Sequence, residues 1–334
     1  MIKLLSLFGG IGADIKALKN LGVEVKTIDY VEWKDNRVKA YNAMNPFRYN
    51  PQDIRDWNLK PDILVHGSPC QDNSRGNKKR KGAAKNSRSQ YLNETVRILR
   101  EIGEWRPKVV IWENVKGVLD RDVMPVFHSY LNDMEELGYT NNFDVLDARN
   151  FGIPHARERV FCISILGHVA FDFGKLEHKP MRHIDEFLEY EKHDDIPEQY
   201  LITIPSMLNK IKEFNPVPTG SYKRQLDVID SYCYTITERQ DRCPNAGIIR
   251  LDRPQYRYLT ERECWRLLGF DDEDFNLMLE AFPTKVGKRN ATLYALAGNS
   301  IVVPVLEAIF EVIINEDYGT DLIADTNGQL QLIC

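Results

Sequence analysis

The chain has 334 residues, 43% of them hydrophobic and 28% charged, with a formal net charge of −5. That length exceeds one ordinary core, so two unequal domains are expected, and the composition excludes disordered, collagen-like and disulfide-stapled classes. Taken globally, the negative charge points away from a nucleic-acid partner, because domains that bind one tend to be basic.

In chain order, Ile2 to Phe8 reads as a buried strand, Ala13 to Leu21 as a helix closed by Gly22, and Val23 to Val31 as a second strand. A helical stretch near Asp35 to Met44 precedes a strand at Pro61 to His66. After a basic segment, Leu92, Val96, Leu99 and Ile102 share one helical face, and Pro107 leads into the strand Val109 to Trp112. A helix near Val123 to Leu137 and strands near Asn142 to Leu146 and Arg159 to Leu166 follow. This alternation predicts an α/β, doubly wound, mostly parallel sheet with helices on both faces. Past about Gly167 the alternation fades, and a smaller, irregular domain is expected over 173–291, with 1–172 and 292–334 forming the larger one. Thr260 and Glu263 predict a capping box opening a helix to Leu268, and the last strong helix spans about Ile301 to Ile314. Six cysteines without a CxxC pair fit neither a disulfide framework nor a zinc site, so no metal is expected and a reducing, cytoplasmic setting is. The apolar run at the start is too short for a signal-peptide core, and no stretch is expected to approach the length of a membrane span, so no membrane partner is expected.

Several short segments carry chemistry. Phe8-Gly9-Gly10-Ile11-Gly12-Ala13 lies where the first strand turns into the first helix, so a ligand can approach the backbone at the helix N-terminus. Twenty residues after Gly12, Glu32 ends the second strand, where an acid can accept hydrogen bonds from ribose hydroxyls. The pair points to a nucleoside cofactor; a merely tight turn with a surface glutamate is the plain alternative. Asp53-Ile54 suits an adenine amino group and ring face. Gly67-Ser68-Pro69-Cys70-Gln71 follows a strand at the carboxyl edge of the sheet, where a thiol can be activated as a thiolate. A lone cysteine is more often a small buried hydrophobe. The next strand, however, delivers Glu113-Asn114-Val115 to the same edge, and an acid near a thiolate suits attack on an electron-poor ring: sulfur adds to carbon while the acid holds the ring nitrogen. Arg157 and Arg159 open another strand, and one of them is expected to reach that pocket, with a solvated charge cluster as the alternative.

Together these residues resemble the DNA cytosine-5 methyltransferases of the bacterial or phage single-specificity type. The resemblance runs from Leu7 to about Pro304 with the motifs in the family's order, leaving only the middle region unmatched. It implies the S-adenosylmethionine-dependent methyltransferase fold with a target-recognition domain and hinge in the middle. S-adenosyl-L-methionine would be held by Phe8, Gly10, Ile11, Gly12, Glu32, Trp33, Asp53, Ile54, Pro69, Asn299 and Ser300. Cys70, Glu113, Arg157 and Arg159 would be catalytic. Leu259 to Glu263 with Gly269-Phe270 looks like the hinge motif, and Gly298-Asn299-Ser300 with Val302 and Val303 like the last. The implied reaction methylates C5 of a cytosine flipped out of a specific double-stranded DNA sequence, through an adduct between Cys70 and C6. A monomer is expected, in a restriction system with a cognate endonuclease or as an orphan or phage enzyme.

Gly76 to Ser89 resembles the family's catalytic loop. Arg75, Lys78, Lys79, Arg80, Lys81, Lys85 and Arg88 put seven cations and no acid between positions 75 and 88. With Gln71 beside the nucleophile, this loop is expected to meet DNA phosphates, so the −5 average hides a polarised molecule. In the middle region, Thr235-Ile236 resembles the recognition domain's Thr-Leu pair, and Arg224, Gln225, Arg239, Gln240 and Arg242 suit base edges or phosphates. Ser6, Ala13, Asn73, Tyr91 and His155 depart from the family's usual acid, glycine, aromatic, leucine and glutamine. Rival readings are a transfer-RNA methyltransferase of the same fold, a nicotinamide-dependent oxidoreductase and an inactive DNA-binding relative. The Pro-Pro-Cys and Cys-Phe-Thr elements of the first are missing here, nothing in the second asks for Pro-Cys-Gln, and the reacting groups argue against the third.

Overall fold

The computed structural model describes residues 2–45, 48–54, 62–68, 91–190, 195–213, 216, 225–252, 255–316, 323–324 and 330–331. Its centre is a six-stranded sheet ordered β2-β1-β3-β4-β6-β5, built from β1 (Ile2–Leu7), β2 (Val25–Val31), β3 (Ile63–His66), β4 (Val109–Val115), β5 (Tyr139–Asp147) and β6 (Glu158–Leu166). β1 pairs in parallel with β2 and β3, and β3 with β4, whereas β6 runs antiparallel to both β4 and β5. Strands covered on both faces are nearly all apolar, and β3 is: all four of its residues are buried, its one polar member, His66, lying 3.1 Å from the Tyr130 hydroxyl and 3.2 Å from that of Thr95. The chain leaves β1 in opposite directions toward β2 and β3, so a ligand crevice is expected at the carboxyl ends of these strands.

Helices cover the sheet: α1 (Ala13–Asn20), α2 (Asp35–Met44), α3 (Tyr91–Ile102) and α4 (Met124–Glu136). On α3 the buried residues Leu92, Thr95, Val96, Leu99 and Ile102 recur at helical spacing and turn the helix onto one face of the sheet. Beyond β6 the chain makes short 3-10 turns, the single-turn helix α5 (Pro205–Leu208) and the two-residue ribbon β7 (Ile249–Arg250) with β8 (Tyr256–Arg257). A small core of Ile202, Met207, Ile211, Leu226, Ile248, Tyr256 and Tyr258 forms there, while Cys233, Ile236, Ala246 and Ile249 belong to the main core.

Four helices follow, α6 (Glu261–Arg266), α7 (Asp272–Ala281), α8 (Ala291–Gly298) and α9 (Val303–Asn315), and then a two-residue antiparallel ribbon, β9 (Ile323–Ala324) with β10 (Leu330–Gln331). α6 opens on the expected box, Thr260 Oγ1 accepting from the Glu263 N–H at 3.1 Å and Glu263 Oε2 from the Thr260 N–H at 2.8 Å. α7 packs against α2, α6 against α8, and α9 against α1. Arg257 and Glu263 form a bidentate ion pair with both side chains 0% exposed. Ala291–Asn315 is apolar enough over 25 residues to match a membrane span, contrary to the expectation that no stretch approaches that length. It is divided by Asn299–Val302 into α8 and α9, and 61% of its most apolar window is buried in the protein, so the hydropathy serves the core.

Candidate active site

The turn from β1 into α1 takes left-handed backbone conformations at three positions, Phe8, Gly10 and Gly12. The Phe8 N–H donates to the Val31 carbonyl at 2.7 Å, and the Tyr30 hydroxyl donates to the Gly10 carbonyl. Tyr30 stacks on Tyr41 with centroids 3.9 Å apart, so β2 and α2 brace the loop from below. Gly9 allows this brace: a Cβ there would lie 2.2 Å from Ser6 Oγ and 2.7 Å from the Tyr30 ring. Gly12, at φ 84°, begins α1, and a Cβ would meet the Tyr41 ring at 2.8 Å.

This loop is one wall of a cavity of about 480 Å³ at the carboxyl edge of the sheet, within the range of small-molecule sites. Phe8, Gly10 and Ile11 line it, as do Glu32, Trp33, Asp53 and Ile54, and Asn299 and Ser300 arrive from the segment joining α8 to α9. Gly12 is not among the lining residues; it sets the entry into α1. Glu32 is buried and fixed: Oε1 accepts the Trp33 and Lys34 N–H groups, each at 3.0 Å, and Oε2 accepts from Arg37 at 3.1 Å. Trp33 is 65% exposed, an aromatic surface with no apolar cover at the cavity's edge. Ile54 is buried and supplies an apolar wall.

At the far end the cavity reaches Gly67, Ser68 and Glu113. Ser68 is gripped from β4, its hydroxyl accepting from Trp112 Nε1 at 3.0 Å and Asn114 Nδ2 at 3.2 Å, and its carbonyl from Asn114 Nδ2 at 3.1 Å. The chain leaving β3 is thereby anchored at Ser68, the residue before Pro69 in the sequence. Glu113 Oε1 lies 3.2 Å from Arg159 Nε, with the two side chains 13% and 14% exposed. Burial pushes the Glu113 carboxyl above the ordinary range, opposed by the positive charges of Arg159 and Arg157. An acid held in this way can keep or share a proton with a ligand atom while Arg159 offers N–H donors beside it. Among the described cysteines, burial holds the Cys162 thiol up at about 12 and raises those of Cys233 and Cys264, so none of these three is a nucleophile.

Pro69, Cys70, Gln71, Asn73, Arg75, Lys78, Lys79, Arg80, Lys81, Lys85, Arg88 and Arg224 lie outside the described residues. Two expectations need correction. Arg157 is buried and does not line the cavity; its guanidinium donates to the carbonyls of Ile236 at 3.2 Å, Gly298 at 3.2 Å and Ser300 at 2.7 Å. It braces these three carbonyls from outside the cavity lining, and its charge still bears on Glu113. Gln240 is also buried, its Oε1 accepting from the Ala246 N–H at 3.2 Å, so it cannot meet a base edge in this arrangement. Thr235 is half-buried with its hydroxyl donating to the Ala156 carbonyl at 2.9 Å, whereas Arg239 and Arg242 are exposed. The grips by Trp112 and Tyr30 escaped the sequence reading. Their only trace was position, an aromatic beside Glu113 and another two residues before Glu32.

The family model for C-5 cytosine-specific DNA methylase matches residues 2–315. The type II methyltransferase M2.ScrFI of Lactococcus lactis subsp. cremoris is 29% identical over 88% of this chain and 80% of its own. The orphan methyltransferase M.SPBetaI of Bacillus phage SPbeta is 26% identical over 94% and 98%. Among solved structures, S. pombe Dnmt2 methyltransferase superposes with a TM-score of 0.72 over 95% of this chain and 99% of its own, at 20% identity, a likeness of fold.

Proposed function

The chain belongs to the C-5 cytosine-specific DNA methylase family, and on that premise we propose that it methylates C5 of a cytosine flipped out of a specific double-stranded DNA sequence, using S-adenosyl-L-methionine. The observation that carries the reading is the Glu113–Arg159 pair closing one end of a cavity whose other end is a glycine cradle beside Glu32 and Trp33. The cavity's residues fit that cofactor. Gly10 lines the cavity with open space beside it, Gly9 and Gly12 let the loop lie against Tyr30 and Tyr41, Glu32 retains acceptor capacity for ribose hydroxyls, and Trp33 and Ile54 suit the two faces of an adenine. When bound, the cofactor supplies an activated methyl group.

The protein's own groups do the rest. Cys70 follows the anchored Ser68 by two positions in the chain. The Cys70 thiolate adds to C6 of the extruded base, Glu113 holds the proton shared with N3, and Arg159 donates to O2. Electrons displaced into the ring make C5 nucleophilic; after methylation, loss of the C5 proton and departure of the Cys70 thiolate restore aromaticity. The basic segment from Arg75 to Arg88, with Gln71, meets phosphates, and Thr235, Arg224, Arg239 and Arg242 belong to the recognising side. The relatives are bacterial and phage enzymes, which fits action in the bacterial cytoplasm, as part of a restriction system with its endonuclease or as an orphan methylase, and we take the chain to act as a monomer.

The test is to incubate unmethylated plasmid with the protein and S-adenosylmethionine and to map protected cytosines by bisulfite sequencing. Protection within one sequence context is expected. No protected cytosine in any context, from protein shown to bind the cofactor, would refute the proposal.

A further inference from the structure

Four acids line the cavity, and three of them are engaged. Glu32 is held by Arg37 and two backbone N–H groups, Glu113 faces Arg159, and Asp53 has a partner of its own. Asp14, in the first turn of α1, differs from these. It is 4% exposed, and its carboxylate is faced only by neutral donors, the Ser6 hydroxyl and backbone N–H groups at its own helix start, that of Ile15 at 2.8 Å. The other groups facing it are the buried phenols of Tyr30 and Tyr41, which are neutral. Among the described residues no lysine, arginine or histidine pairs with it. Burial pushes its carboxyl above the ordinary range.

A buried carboxylate without a counter-cation is costly, and the cost is recovered when a ligand brings positive charge into the same cavity. Asp14 stands on the side of the cavity formed by the β1-to-α1 loop and the Asn299–Ile301 segment, because α1 packs on α9. The residues suited to a nucleoside, Glu32, Trp33 and Ile54, come instead from the ends of β2 and the segment before β3. The N–H groups at the start of α1 are already taken up by the Asp14 carboxylate, that of Ile15 at 2.8 Å, so no second anion is drawn to them. An amino-acid end lying on this side of the cavity would set its ammonium against Asp14. Resting on the cofactor reading above, we infer that Asp14 is the binding residue for the α-ammonium of S-adenosylmethionine.

Three ligands separate the possibilities. S-adenosylmethionine carries both an ammonium and a sulfonium, S-adenosylhomocysteine keeps only the ammonium, and 5′-methylthioadenosine has neither. Equilibrium binding of all three is measured by calorimetry to the wild-type chain and to Asp14→Asn, which preserves shape. The variant is expected to bind the first two about tenfold more weakly, the loss of one charge-assisted contact, and methylthioadenosine within about twofold of wild type. Unchanged affinities, a loss confined to S-adenosylmethionine, or an equal loss for all three would each overturn the assignment. If the wild-type chain bound none of the three, the reading of the cavity itself would fall, and that result appears before any variant is compared.

Discussion

Glu113→Gln separates chemistry from architecture at the reacting end. Glutamine keeps the volume and an oxygen that can still accept from Arg159 Nε, now 3.2 Å from Glu113 Oε1, but it can neither give up nor share an acidic proton. General acid assistance contributes about 10²–10⁴-fold, so single-turnover methyl transfer to duplex DNA should slow at least 100-fold, or about 2.7 kcal/mol in barrier. Stability should barely move at neutral pH. The carboxyl is held above its ordinary range, so the group's contribution to stability is fully present below the unfolded pKa and is lost as pH rises through the folded one. Replacing it therefore removes a cost at pH 8 and a benefit at pH 4, and the variant's stability relative to wild type should improve across that interval. At pH 7 its melting temperature should lie within about 2 °C of wild type, the shift expected for roughly 1 kcal/mol in a chain of this length. Rapid-quench methylation and calorimetric melting at matched pH test both halves. Wild-type turnover in the variant, or a melting temperature that collapses along with activity, would refute the reasoning.

Two further substitutions test the frame around the site. Gly9→Ala should cost about 1–3 kcal/mol and weaken S-adenosylmethionine binding at least tenfold, because the added methyl would lie 2.2 Å from Ser6 Oγ and 2.7 Å from the Tyr30 ring that carries the bond to Gly10. Equilibrium dialysis with labelled cofactor reads this, and an unchanged affinity would show that the loop does not depend on that brace. Arg257→Met should lower unfolding free energy by about 3–5 kcal/mol in urea, since it strands the Glu263 carboxylate in the core. Adding Glu263→Gln should recover at least half, because an amide can be buried without charge; no recovery would mean that Arg257 acts mainly through its bonds to the Tyr190 and Tyr258 carbonyls.

The sheet was readable because buried parallel strands are short, nearly continuous apolar runs: Ile63–His66 and Val109–Trp112 announce themselves. α8 did not, since Ala-Thr-Leu-Tyr-Ala-Leu-Ala-Gly is apolar on most sides and carries no helical stripe. Residues 173–248 resisted because their described backbone is satisfied by local turns and isolated bridges, which leave no period in the sequence. At the site, residue types with a fixed chemistry and a strand end to sit on were visible early, among them Glu32 and Glu113. The fate of Arg157 was not, because its three acceptors lie 79, 141 and 143 residues away along the chain. Gln240 shows the converse: a polar side chain reads as a surface group until one backbone N–H, that of Ala246, draws it inside.

The same geometry accounts for His155, where a glutamine is usual in sequences of this kind. Nδ1 lies 3.0 Å from the Leu267 carbonyl and Nε2 accepts from the Ile236 N–H at 3.1 Å, which assigns the proton to Nδ1. Burial and the neighbouring Arg157 charge hold the ring far below the ordinary histidine range, so this neutral tautomer persists across working pH. A glutamine amide offers the same pair, one N–H and one acceptor, and the histidine therefore replaces it in function. Its neighbours continue the pattern. The Ala156 N–H donates to the Cys233 carbonyl at 2.8 Å, the Ala156 carbonyl accepts from Thr235, and Arg157 reaches Ile236, Gly298 and Ser300. Three consecutive residues thus tie the lead-in of β6 to the 233–236 segment, to the end of α6 and to the α8–α9 junction that lines the cavity. Arg159 lies two residues beyond Arg157, so the strand that these bonds fix is the one that carries the group facing Glu113.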